Sequence, residues 1–162
     1  MKKITKLSLM LTLAISMLVG CKKDDTVNSS NLAAGKSQIS CTVSGAVSSS
    51  FSSSTLVSTA AKNGVLMNIS GSTASLPIQL MLFIIPTDIT VGTHNLSTSD
   101  DFTVSYTNNT DGWAAGDVGD NFTLVVTKND GAVFEGTFSG TLKNDDSGTT
   151  VTITNGKIAG KF

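Results

Sequence analysis

The chain counts 162 residues, with eleven lysines, no arginine and twelve carboxylates, and only 14% of it is charged. Serine, threonine, glycine and asparagine are abundant, whereas glutamate occurs once, at Glu135. That composition is poor for helices and suited to strands and turns.

Met1 to Lys6 carries three lysines, and Leu7 to Val19 is an uncharged apolar run that ends at Gly20 and Cys21. Basic, then apolar, then small is the order of an export signal. The run is too short for a spanning helix, which needs about 20 residues. Leu18-Val19-Gly20-Cys21 resembles the lipobox of bacterial lipoproteins. The resemblance implies cleavage before Cys21, a diacylglyceryl group on its sulfur and acylation of its freed amine. Several acyl chains together hold a protein durably to a membrane where a single chain holds weakly. Without residues 1–20, eight lysines face twelve carboxylates in 142 residues, a charge of about −4. A nucleic-acid binder needs a clustered basic face, so that class is set aside. The length suits one domain with its own core. With the sulfur of Cys21 lipidated, Cys41 has no partner for an intramolecular disulfide, and stability must come from burial and strand pairing.

Residues 21–38 are polar, aperiodic and rich in Ser and Asn, and read as a flexible tether. Lys22-Lys23-Asp24-Asp25, directly after the lipidated Cys21, resembles the short export signal that sends Bacteroidota lipoproteins to the outside of the outer membrane. Asp25-Thr26-Val27 also resembles the O-glycosylation motif of that phylum. From Ile39 to Phe162 the texture is that of one all-β domain. Ile39, Cys41, Val43 and Val47 share a face by period-2 alternation, which makes Cys41 a buried small hydrophobe. Ser48 to Ser54 reads as a loop or a loose edge strand, and Val65, Met67 and Ile69 alternate again. Ile78 to Ile85 is apolar on both faces between Pro77 and Pro86. It reads as the central strand, buried on both sides, with one face left exposed for binding as the alternative.

Phe102, Val104 and Tyr106 alternate next, and Asn108 to Asp120 is turn-rich and carries Trp113. Phe122, Leu124 and Val126 face inward before a hairpin turn at Lys128 to Gly131. Phe134, Gly136, Phe138, Gly140 and Leu142 line one face, as a tightly coiling sheet requires. Asn144 to Gly148 turns the chain, Val151 and Ile153 form a strand, Asn155-Gly156 is a further turn, and Ile158 to Phe162 closes the chain. The expectation is an antiparallel β-sandwich or β-barrel of about 8–10 strands, mostly joined by hairpins.

Gly92-Thr93-His94-Asn95-Leu96, Phe122 to Lys128, Gly136 to Leu142 and Ile153 to Ile158 resemble blocks of a family of small Bacteroidota lipoproteins of unknown function. The resemblance spans Val65 to Phe162. Departures are His94 where that family tends to have Tyr, Ile158 where Phe is usual, and no early Trp. It implies the fold and the location, and it offers no catalytic residue.

Catalytic and metal chemistry finds little to stand on. His94 is the single histidine, no G-x-S-x-G elbow is present, and a zinc site wants three or four ligands. The pairs Asp100-Asp101 and Asp145-Asp146 sit in turn contexts. Asp111, Asp117, Asp120 and Asn121 lack the spacing of a calcium loop. Trp113 is the candidate for recognition, through a flat ring offered to a sugar or a protein, against the alternative that it caps the core. The sequence thus points to a surface-exposed outer-membrane lipoprotein with a non-enzymatic binding domain, no cofactor or metal, and a glycan or a surface protein as partner. Oligomeric state stays open. The alternative is a carrier holding a small apolar ligand inside a β-barrel.

Overall fold

Eleven antiparallel strands follow the alternation of apolar and hydroxyl side chains in the computed structural model, which describes residues 27–109 and 111–162. They are β1 Lys36–Gly45, β2 Ser49–Ser52, β3 Thr59–Asn63, β4 Leu66–Ser72, β5 Gln79–Pro86, β6 Gly92–Asn95, β7 Thr103–Asn108, β8 Asp111–Ala115, β9 Phe122–Asn129, β10 Val133–Lys143 and β11 Thr150–Lys161. The signal segment 1–20 and the lipidation and export residues Cys21 to Asp25 lie outside the described residues. Among the described residues no helix is long and apolar enough to cross a membrane.

Hydrogen bonding runs in the order β2-β1-β11-β10-β8-β7-β5-β4-β3, with β9 on β10 and β6 on β9. The sheet curls into two walls that face each other. Wall one is β6-β9-β10-β11-β1-β2, and wall two is β8-β7-β5-β4-β3. Lys143 opposite Ala114 joins them along one seam. Along the other, Ala60 N donates to Gly35 O at 3.0 Å and Ser54 N to Ser72 O at 2.8 Å. The walls come this close because Gly71 has no side chain: a Cβ there would fall 2.8 Å from that of Ser53.

The interior is aromatic. Phe83 meets Phe138 edge-on with ring centroids 4.8 Å apart, and Phe122 stacks on Phe138 at 6.2 Å. Edge-to-face and offset rings add to the burial that drives folding. Met67, Ile69, Met81, Ile85, Leu124 and Ile153 complete the packing from both walls.

Four sequence expectations change here. β5 is buried on one side, not both: Met81, Phe83 and Ile85 point inward, while Leu80, Leu82 and Ile84 point out and are only partly covered. Asn155-Gly156 is a bulge within one 12-residue strand, not a turn. Asn155 adopts φ 54°, and Gly156 lies under Phe138, where a Cβ would be 2.4 Å from the ring. Only glycine admits that approach. The turn-rich stretch after Asn108 contains β8, which pairs with β7 from Val104–Ala115 to Asn108–Asp111. Finally, order begins before Ile39. β1 starts at Lys36, Leu32 is buried, and Ser29 docks on β10, its backbone N donating to Glu135 Oε1 at 3.0 Å and its hydroxyl to the same oxygen. The packed part of the expected tether lies against wall one because Ala159, facing outward there, is fully covered.

Candidate functional site

Wall two turns an uncharged face to solvent. Its outward residues form rows fixed by register: Ala61, Asn68, Ile84 and Thr103, then Thr59, Ser70, Leu82, Ser105 and Ala114, then Ser72, Leu80, Thr107 and Gly112. Leu80, Leu82 and Ile84 stand as a ridge on β5, extended by the exposed Ile78 and Leu76 beyond its start. Small hydroxyl residues flank the ridge on both sides. Aliphatic side chains left partly in water forgo roughly 25 cal/mol for each Å² not buried.

Beside the ridge is a groove of about 390 Å³. Ser105, Thr107, Gly112 and Ala114 form its floor, and Lys143, Asp145 and Asp146 at the tip of the β10–β11 hairpin form its wall. Lys143 Nζ and Asp145 Oδ1 are 3.2 Å apart, both largely exposed. Such a pair contributes little to stability and is free to change partners.

Trp113 does not offer the ring face that the sequence suggested. It is 4% exposed, stacks on Tyr106 with centroids 5.9 Å apart, and donates from Nε1 to Thr149 Oγ1 at 3.1 Å. Its role is to hold the β10–β11 hairpin against β8, and thereby the groove wall. Eight of the nine aromatic side chains are buried, and the ninth, Phe162, lies under Lys62 Nζ at 4.8 Å. No ring among the described residues is left free to stack on a sugar.

His94 has both ring nitrogens engaged. Nδ1 lies 3.1 Å from Asp101 Oδ2 and Nε2 lies 2.9 Å from Thr90 O. Both contacts are with oxygens of the protein, so each nitrogen is already occupied by a partner of the domain itself. Neither nitrogen faces a hydroxyl, and a nucleophile–base pair is not assembled. The His94 bond, with help from Ser99, holds the Asp101 carboxyl below the usual carboxylate range. Asp120 accepts from Gly116 N at 2.8 Å and Asp117 N at 3.0 Å, so it ties its own turn rather than presenting oxygens. No group of three acidic, His or Cys side chains converges among the described residues. Cys41 is buried, and burial pushes its thiol up to about 12.

The interior of the curled sheet leaves Met81, Phe83 and Ile85 without exposure. The carrier alternative needs open space at that place. The sequence singled out Ile78 to Ile85 but not which face turns outward, and it missed the groove, which the β7–β8 hairpin and the distant residues 143–146 form together. No family model, curated protein or solved structure matches the chain.

Proposed function

We propose that the chain is a lipid-anchored outer-membrane protein, acylated at Cys21 and displayed on the cell surface through Lys22 to Asp25, whose β-domain is a non-enzymatic interaction module. The observation that carries the binding role is the outward ridge of Leu80, Leu82 and Ile84 on wall two. A strand that is apolar on both faces has an inner face to fill the core, and its outer face serves no folding purpose. The packed interior supports a module over a carrier, and the saturated ring of His94 supports binding over catalysis. Buried aromatics favour a protein partner over a glycan.

Two measurements test this reading. Cys21→Ala removes the acyl acceptor, so labelled fatty acid should no longer enter the protein, and continued labelling overturns the anchor. Native electrophoresis of detergent-solubilised envelopes should show the wild type above its protomer mass. Leu80→Asp combined with Leu82→Asp should return it to that mass with the fold intact. A wild type that migrates as the protomer removes the interaction role. Surface display is read by protease added to whole cells: replacing Lys22–Asp25 with Ala should protect a protein that is otherwise shaved.

A further inference from the structure

We infer that the outer face of wall two binds a second copy of itself, forming an isologous face-to-face dimer of sheets. This rests on the interaction role just proposed and names the partner. Three observations converge on a second copy.

The first is shape. The face carries a ridge on β5 and, about one to two strand spacings away over β7 and β8, a groove floored by Ser105, Thr107, Gly112 and Ala114. A two-fold axis running along the strands between β5 and β7 exchanges the two features, so each ridge lies in the other copy's groove. Self-complementarity of this kind is what an isologous interface demands. Aligned packing of two sheets about 10 Å apart accommodates it without moving the backbone.

The second is charge. The domain is acidic overall, yet the outward rows of β3, β4, β5, β7 and β8 contain no charged residue. Two copies meet there without burying like charges. Lys143, Asp145 and Asp146 stand at the rim beyond β8, opposite the uncharged outward row of the other copy's β3, where water reaches them. An anionic membrane surface would select lysines across the face, and its strand rows have none, Lys143 standing only at the rim.

The third is reach. Ser29 is held on wall one by Glu135, so only residues 22–28 separate Cys21 from the docked chain. Those residues span about 25 Å at full extension. The lipid anchor therefore leaves from the wall-one side and lets wall two stand upright on the membrane, where another anchored copy can meet it. About that axis β8, β7, β5 and β4 of each copy overlap, a projected area of roughly 400 Å², so about 800 Å² over two copies, the size of a weak interface. Confinement to one membrane raises the effective concentration of a contact of that size.

The test is cross-linking in cells carrying the full chain. Acylated Cys21 and buried Cys41 leave an engineered thiol as the reactive one. Ser105→Cys lies next to the inferred axis, and Thr154→Cys, on the outer face of wall one, is the control. A short bis-maleimide should give a band at twice the protomer mass with Ser105→Cys and not with Thr154→Cys. Adding Leu82→Asp should weaken that band about tenfold or more, since it buries an uncompensated carboxylate, while the melting temperature stays within error. Equal bands from both thiols, or a band indifferent to Leu82→Asp, overturn the dimer. An adduct of another mass overturns the dimer and keeps the interaction role. Absence of any adduct, with envelope complexes still sensitive to Leu80→Asp and Leu82→Asp, likewise removes only the self-association.

Discussion

Phe138→Ala should be the most damaging truncation on wall one. The ring is 3% exposed, meets Phe83 at 4.8 Å and Phe122 at 6.2 Å, and covers the backbone at Gly156. Truncating a buried phenylalanine costs about 3–5 kcal/mol, from lost transfer energy and the cavity left behind. The upper part of that range applies here. The void is bounded by β10 and β11, which are long, bulged at this point and paired along their length, so they cannot collapse into it. For a domain of this size that is a drop of roughly 10–15 °C in melting temperature. Thermal unfolding followed by circular dichroism, with a urea titration, measures it. Phe138→Leu, which keeps most of the volume, should lose less than half as much. Gly156→Ala probes the same contact from the other strand and should destabilise as well, because its Cβ lands on the ring and the Phe138 carbonyl. A Phe138→Ala protein within about 1 kcal/mol of wild type would refute the reasoning, since it would place the ring outside the load of the core.

Further outcomes follow from other contacts. Glu135→Ala should release the segment from Ser29 to Leu32, at a cost of about 1.5–3 kcal/mol for the lost charge-assisted hydrogen bonds, and open it to cleavage by added protease; an unchanged cleavage rate would show that the segment holds without it. Cys41, with its thiol pushed up to about 12 by burial, should resist a thiol reagent at pH 8 in the folded Cys21→Ala protein and react fully in denaturant; rapid native labelling would show that wall one opens locally. Asp101 has its folded pKa lowered, chiefly by His94, so its contribution is complete above its unfolded pKa of about 3.9 and is lost as pH falls through the folded value. The stability gap between wild type and Asp101→Asn should therefore be level from pH 6 to 5 and close below pH 4, and it should shrink with added salt; a gap that widens in acid would reverse the assignment.

Period-2 alternation alone determined much of this protein. Ile39, Cys41 and Val43, or Phe122, Leu124 and Val126, differ from their neighbours in polarity, so each strand declares its own inner face. The hairpin at Asp130-Gly131 was equally legible, because a left-handed glycine is a local requirement. Ile78 to Ile85 carried no such phase: from Leu80 onward the run is apolar at every position and is compatible with either facing. The choice came from its neighbours, since pairing with β4 and β7 aligns Met81 with Gly71 and Tyr106 and leaves Leu82 beside Ser70 and Ser105. Likewise Asn155-Gly156 has the local chemistry of a turn, and became a bulge because the Phe138 ring of the adjacent strand needed the space. The candidate binding face was hidden for the same physical reason. It is assembled from β5, β7, β8 and the hairpin after Lys143, and side chains that far apart in sequence meet only once the sheet has curled.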